Sequence, residues 1–345
     1  MPAGEEKVVH VYNWTDYIGR DTIGGFEART GIKVVYDTYD SNELLETKLL
    51  TGRSGYDVVF PTATVLARMA RVGVFQPLDK AKLPNLANLD HEIMERMARY
   101  DPGNVFAIPY MWGTTGLGYN PAMVHAAIGT DTIDSWGAVF DPAIAAKLAD
   151  CGITMLDAPE DVFEGAEIYL GNVAYNEDLT ELAEAEALVA KARPFVRSFD
   201  SSAHVAALAS GEVCVSLSWS GLMLQARDRG ASAKPPVEVR YIIPREGAPT
   251  YVDTAAIPAD APHPDHAHAF LDYLMEPEVI AAISNEIRYA NANAAALPLV
   301  APDMRDDPSI YPPAEVRAKL QLSATRSQDY SRAVNRAWTR VKTGQ

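Results

Sequence analysis

The sequence predicts an α/β protein of two lobes, each a mainly parallel sheet flanked by helices. Two observations carry this expectation. Apolar segments of strand length alternate with helical segments of about ten residues, which implies right-handed βαβ units and a parallel sheet. The chain has 345 residues, 48% of them hydrophobic and 22% charged. That is ordinary globular composition at a length beyond the growth of a single core, so two lobes follow.

Val8-Val-His-Val-Tyr12 predicts the first strand, Thr22 to Thr30 a short helix ending at Gly31, and Ile32-Lys-Val-Val-Tyr36 the second strand. Asn42 is expected to cap a helix over Glu43 to Thr51, where Leu44, Leu45, Lys48 and Leu49 recur at helical spacing and Gly52 stops the run. Asp57-Val-Val-Phe60 predicts a third strand, closed by Pro61. Ligands of such sheets gather at the carboxyl ends of the strands. Chemistry is therefore expected at Asn13 to Tyr17, Asp37 to Asn42, and Pro61 to Thr64.

A second unit begins near Pro109-Tyr-Met-Trp112. Gly152 to Leu156 and Val213 to Ser218 read as strands, and Leu179 to Ala192, rich in Ala, Glu and Leu, as a helix. The Val213 strand runs through Trp219-Ser-Gly221 into another helix, and Glu238 to Ile243 is a strand ended by Pro244. The segment Tyr251 to Ile257 follows, and then one long amphipathic helix from His266 to Ile287, with Phe270, Leu271, Leu274 and Ile280 along it. The last 30 or so residues read as two helices with Arg and Lys outward. No internal repeat or low-complexity tract interrupts the chain.

Lys and Arg number 30 against 46 Asp and Glu, a formal net charge of −16. This balance disfavours nucleic acid and anionic membranes, which need clustered basic residues. It suits attraction of small cations, although many proteins are acidic for solubility alone. No apolar run reaches 18 residues, so no membrane-spanning helix is expected. The start, Met1-Pro-Ala-Gly-Glu-Glu-Lys7, is polar and lacks the basic stretch, apolar stretch and cleavage site of an export signal. Two expectations fit it: a cytoplasmic protein, or a mature exported one whose signal has been replaced by an added Met.

Two cysteines, Cys151 and Cys214, each lie beside an expected strand. An even count permits one disulfide without requiring it. Bridged, they would close a loop of about 60 residues, worth at most about 4 kcal/mol in chain entropy. Unbridged, they are two buried thiols acting as small hydrophobes.

Asn13-Trp-Thr-Asp-Tyr17 places two aromatic rings and a carboxylate after the first strand. Ring faces suit a cation and its methylenes, and a carboxylate takes ammonium hydrogen bonds. The plainer alternative packs Trp14 into the core and uses Asp16 as a cap. His263, His266 and His268 invite a metal reading, but residues two apart on a helix point in different directions, so no metal is expected there. Gly113-Thr-Thr-Gly-Leu-Gly118 holds only a fragment of a dinucleotide fingerprint and lacks the following helix and acidic residue. No Gly-x-Ser-x-Gly elbow or cysteine motif recommends an enzyme. No cofactor is expected.

With these segments in view, the sequence resembles the polyamine-binding members of the type II periplasmic binding protein family, from Val8 to about Val341. The resemblance rests on Tyr12-Asn-Trp-Thr-Asp-Tyr-Ile18, Gly31-Ile-Lys-Val-Val-Tyr-Asp37, Asp40-Ser-Asn-Glu43 and Val74-Phe-Gln-Pro-Leu-Asp-Lys80. It continues in Pro109-Tyr-Met-Trp-Gly113, Leu156-Asp-Ala-Pro-Glu160, Tyr289-Ala-Asn-Ala-Asn293 and Ile310-Tyr-Pro-Pro313. It implies two lobes, 5–109 with 251–300 and 110–250 with 301–345, closing on a ligand cleft between them. It also implies a monomer in the periplasm that captures spermidine or putrescine and delivers it to an ABC permease in the inner membrane. The alternative is a polyamine sensor that presents its closed form to a membrane signalling receptor.

The same resemblance implies that Trp14 and Tyr17 line the cleft with Asp16 nearby, that Thr15 and Thr62 occupy small hydroxyl positions, and that Thr64 occupies a variable one. Trp219 and Tyr251 match aromatic walls, Asp253 an amine-binding carboxylate, and Tyr289 an aromatic at the same end. It further implies a Cys151–Cys214 bridge and an oxidising compartment. Two departures stand out. A usual glutamate aligns with Asp161, one methylene shorter, and Leu222 replaces an aspartate three residues after Trp219. Losing an ammonium partner costs several kcal/mol, so the expected preference shifts toward a longer or differently charged amine, spermidine slightly ahead of putrescine, with a monoamine or guanidino compound as the further alternative.

Overall fold

The computed structural model of the protein describes residues 6–344. The polar start over residues 1–5 lies outside the described residues, as does the first residue of the expected first lobe. The chain divides into two compact units. One comprises Met1–Trp112 with Tyr251–Asp306, and the other Gly113–Thr250 with Asp307–Gln345.

Among the described residues the strands are β1 (Val8–Trp14), β2 (Lys33–Tyr39), β3 (Val58–Val59), β4 (Ala107–Tyr119), β5 (Ile153–Met155) and β6 (Val196–Phe199). They continue as β7 (Val215–Trp219), β8 (Arg240–Ile242), β9 (Ala248–Ala256), β10 (Ala290–Asn291) and β11 (Leu320–Leu322). In the first unit β1 is central. It pairs in parallel with β2 from Val8↔Lys33 to Trp14↔Tyr39 and with β3 at Val11↔Val58. β3 meets β9 antiparallel at Val59↔Ala256, and β10 pairs with the first part of β4. Val9, Val11, Val58, Val59 and Phe60 are fully buried, as are Phe26, Leu45, Leu66, Phe270 and Leu271 from the helices.

The helix Thr22–Thr30 forms as expected and ends at Gly31, whose φ of 69° is the left-handed conformation that glycine adopts without strain. The next helix differs by one residue. Ser41, in extended backbone, accepts from Leu44 N–H and is the cap, while Asn42 is the first helical residue. The expected helix from His266 to Ile287 is two helices, Pro264–Leu274 and Pro277–Ile287. Pro277 lacks an N–H and pushes Glu276 to ψ 132°, which ends the first before the second begins. β2 also runs on through Asp37 to Tyr39, because β1 continues to pair with it through Trp14.

In the second unit the latter part of β4 pairs antiparallel with β7, Thr115 opposite Trp219, and with β8. β5 lies parallel to both β7 and β6, and β11 pairs with the start of β9. The helix Leu179–Ala192 has the expected bounds and is capped by Asp178. The chain end is a correction: a four-residue helix Ala314–Arg317, the strand β11 and the long helix Gln328–Thr343 replace two helices. Leu320-Gln-Leu322 is too short to show its period, and an edge of β9 decides its conformation. Trp338 and Val334 of the last helix join Trp136, Phe140, Phe163 and Leu217 in the core. Gly116 and Gly118 belong to β4. A Cβ at Gly116 would stand 2.3 Å from the Ile242 carbonyl, so close strand packing accounts for this glycine-rich run.

Because β5 and β7 are neighbours with Ile153 opposite Val215, the cysteines just before them meet. Cys151 and Cys214 form a disulfide with their Cα atoms 5.4 Å apart. The imidazoles near His266 diverge: His266 Nδ1 faces the Val8 carbonyl at 2.8 Å, while His268 Nε2 accepts from Asp79 N–H.

A buried charged cluster ties the Gln328–Thr343 segment to the helix Pro159–Leu170. Glu164 and Glu167 are almost wholly buried and share one guanidinium, Arg326, which is 3.5 Å from Glu164 and lies over the Tyr330 ring. Two carboxylates with one cation are under-neutralised, and burial pushes Glu167 up to about 7 and Glu164 well above its ordinary value.

Two outcomes are expected. The protonated form of Glu167 stabilises the fold fully below its unfolded value of about 4.3, and this contribution is lost as pH rises through about 7. His204 works the other way. Burial lowers it to about 4, so its contribution is present above about 6.5 and lost as pH falls. Thermal melting should therefore place Glu167→Gln above the unsubstituted protein near pH 8 and no higher near pH 5; equal melting at both would remove Glu167 from the pH response. Separately, replacing both Cys151 and Cys214 by Ser should lower stability by about 2–4 kcal/mol in denaturant unfolding, since the bridge closes a loop with a sequence separation of 63.

Candidate functional site

The expected site residues divide between the two units. In the first unit β1 delivers Trp14, whose indole N–H donates to the Phe60 carbonyl at 2.8 Å. Its ring tilts against Tyr39, 4.7 Å away, the residue opposite it in β2. Trp14 is half-buried, so neither the plain core reading nor full exposure describes it. Beyond it the chain turns. Asp16 takes a left-handed φ of 55° and is exposed, a conformation that aspartate tolerates. Thr15 is also exposed, and its hydroxyl donates to Asp40.

The turn returns Tyr17 to the interior. Its hydroxyl donates to Asp253 Oδ2 at 2.6 Å. Its ring stands edge-on to Tyr289 at 4.9 Å and to Tyr110 at 5.6 Å, the geometry that aromatic quadrupoles prefer. Burial holds the Tyr17 phenol well above its ordinary pKa, and the nearby Asp253 charge adds to this. The hydroxyl thus stays protonated and remains a donor to the carboxylate. Asp253 lies on β9, two residues after the half-buried Tyr251, so both side chains share one face of the strand. Thr62 bridges to Asp253 through the backbone and its hydroxyl is 3.1 Å from that of Thr64. Tyr17, Asp253 and Tyr289 therefore form one cluster, with Thr62 and Thr64 beside it. Asp16 and Thr15 stand outside that cluster.

In the second unit Asp161 occupies the first turn of the helix Pro159–Leu170. Its Oδ1 accepts from the Thr115 hydroxyl at 2.5 Å and from the Trp219 indole at 3.0 Å. These donors converge because Thr115 and Trp219 are opposite one another in β4 and β7. Burial raises the Asp161 carboxyl, and the bonds from Thr115 and Trp219 pull it back only in part. Leu222, in the first turn of the helix Ser220–Ser232, is half-buried and packs against the apolar cluster around Leu208 and Met223. It offers no polar atom at all.

Sequence reasoning did not single out Thr115, Tyr39 or Tyr110. Thr115 sits inside the glycine-rich run read only for nucleotide binding. Tyr39 falls within the segment expected to carry chemistry, but its partner Trp14 emerges only once the β1–β2 register is known. Chemically, each set pairs a buried or half-buried carboxylate with aromatic surface. A carboxylate has about four acceptor sites, so each can accept further N–H donors, while the rings can cover methylenes or face a cation.

Comparison with known proteins bears on what those donors are. Residues 23–312 match the family model of bacterial extracellular solute-binding proteins. The chain is 49% identical to the putrescine-binding periplasmic protein PotF of Escherichia coli (strain K12), over 99% of this chain and 93% of that one. It is 48% identical to the putrescine-binding periplasmic protein SpuD of Pseudomonas aeruginosa (strain UCBPP-PA14), over 99% and 94%. Among solved structures it matches a putative spermidine/putrescine ABC transporter from Listeria monocytogenes with a TM-score of 0.87 at 28% identity, over 98% of this chain and 100% of that one.

Tyr17→Phe should isolate the central bond of the first set, since it keeps the ring against Tyr289 and Tyr110 and deletes only the donor to Asp253. Hydrogen bonds to charged groups contribute about 1.5–3 kcal/mol. Chemical denaturation is expected to show a loss of that size; a change under about 0.5 kcal/mol would mean that the hydroxyl does little to hold the carboxylate.

Proposed function

The chain belongs to the family of bacterial extracellular solute-binding proteins, and on that premise we propose that it captures a polyamine, spermidine or putrescine, and delivers it to an ABC permease. The observation that carries this reading is the Asp253 carboxylate set among Tyr17 and Tyr289. It is supported by relatives named for putrescine binding that align over nearly the whole chain.

A polyamine is a string of ammonium groups separated by methylenes. Asp253 and Asp161 each accept from an ammonium group. Trp14, Tyr17, Tyr251, Tyr289 and Trp219 cover the methylenes, at about 25 cal/mol per Å² of apolar surface. Thr62 and Thr64 orient the amine end beside Asp253. Ligand energy goes into stabilising the bound state that the permease recognises. The protein works outside the cytoplasm as a monomer and binds without chemically changing its ligand. Leu222 supplies no partner for an ammonium, so the groove favours a longer amine and places spermidine slightly ahead of putrescine.

Calorimetric titration of unfolded, ligand-stripped and refolded protein with putrescine, cadaverine, spermidine and spermine tests this. Binding at about micromolar Kd or tighter is expected for at least one. No heat with any of the four would sink the polyamine reading, and a putrescine affinity tenfold tighter than spermidine's would reverse the ranking. Asp253→Ala should weaken the preferred amine at least tenfold with circular dichroism unchanged. Unaltered affinity would take Asp253 out of the site.

A further inference from the structure

His10, Asp57 and His263 are far apart in sequence but meet within the first unit, and each offers one nitrogen or oxygen atom within 4.8 Å of the others. The register of β1 and β3 accounts for two of them. Val11 lies opposite Val58, so His10 lies opposite Asp57. Asp57 N–H donates to the His10 carbonyl at 2.8 Å, and His10 N–H donates to Asp57 Oδ2 at 2.8 Å. The third arrives at the start of the helix Pro264–Leu274, where His263 N–H donates to Asp57 Oδ1 at 2.6 Å. The Asp57 carboxylate is fully buried and fixed by backbone groups on both sides. The two imidazoles are half-buried and stack at 6.0 Å, 21° from parallel.

We propose that these three side chains bind a divalent transition-metal ion of the zinc type. Two imidazoles and one carboxylate suit such an ion, and three protein ligands leave a fourth position for water. His263 Nδ1 stands 3.1 Å from Asp57 Oδ2. That separation suits either an imidazole N–H donating to the carboxylate or an ion shared by the two atoms. Tetrahedral zinc, with bonds of about 2.0–2.1 Å, needs its ligand atoms about 3.3 Å apart. Torsions of the half-buried imidazoles supply that closure around a carboxylate that is already fixed. The ion would join β1, the entry to β3 and the Pro264–Leu274 helix, and so stabilise the folded first unit. His10 is four residues before Trp14, about 13 Å along the strand, so the site is independent of the polyamine reading. It is also not the His263–His266–His268 run that the sequence brings to notice, since the partners of His263 come from β1 and the approach to β3.

The test is calorimetric titration of tag-free, chelator-stripped protein with zinc chloride, paired with thermal melting. One equivalent should bind at about micromolar Kd or tighter and raise the melting temperature by a few degrees. His10→Gln and His263→Gln should each weaken zinc at least tenfold. His10→Gln leaves the backbone bonds to Asp57 in place, so a loss of zinc in this variant cannot be ascribed to a displaced carboxylate. His91→Gln, at the exposed His91–Glu95 pair, should change nothing. Absence of zinc binding, unchanged affinity in both site variants, or loss only in His91→Gln would each overturn the proposal.

Discussion

A carboxylate withdrawn from water must be met by donors before it can hold anything else. In this chain the donors come from far along the sequence. Asp253 is met by the Tyr17 hydroxyl, a sequence separation of 236. Asp161 is met by Thr115 and Trp219 from two paired strands. Asp57 is met by backbone groups of His10 and His263. Each of these bonds satisfies a buried charge and at the same time fixes the relation of two or three segments within a unit. The acids therefore act as joints of the fold before they act on any ligand.

The helix Pro159–Leu170 shows what happens where donors run short. Asp161, Glu164 and Glu167 recur every three residues and so share one face. Their mutual repulsion adds to desolvation, and Glu164 is raised by Asp161 and Glu167 as well as by burial. Arg326 offsets part of this. Its guanidinium is itself held by the Ala174 and Asn176 carbonyls, which anchors the segment leading into the last helix. A single cation thus fixes the C-terminal part of the second unit against the helix that carries Asp161.

Local signals in the sequence are sufficient where one residue type decides the geometry, as Gly31 does in ending its helix. The placement of Cys151 and Cys214 before two strands leaves both a bridge and two buried thiols open, and the register of β5 and β7 decides between them. Where two local signals compete, the fold decides between them. Ser41 and Asn42 are both good caps, and the backbone chose the serine. Phe270 through Ile280 keep a helical period across Pro277, and the pyrrolidine ring overrides it. β11 and Thr115 are illegible for a different reason, because each is defined by a distant neighbour, β11 by the start of β9 and Thr115 by Asp161, 46 residues on. The aromatic and acidic character of Asn13 to Tyr17 was plain from the sequence. That Tyr17 turns inward to a carboxylate while Asp16 faces solvent depends on one left-handed residue, and no periodicity announces it.

The two carboxylates of the proposed polyamine site are not equivalent, and the difference bears on what a cation gains at each. Asp253 already has a donor that cannot lose its proton in ordinary conditions, since the Tyr17 phenol is held well above its usual range. An arriving ammonium there adds to a charge that is already stabilised. Asp161 has two neutral donors, yet desolvation still raises its carboxyl. A cation beside it would supply both a donor and an opposite charge, and so favour the ionised form. On the proposed reading, binding at Asp161 relieves an existing penalty, whereas binding at Asp253 exploits a prepared site. Leu222, apolar and packed against the Leu208–Met223 cluster, leaves Asp161 as the acid that must do this work among the second-unit residues assigned to the site.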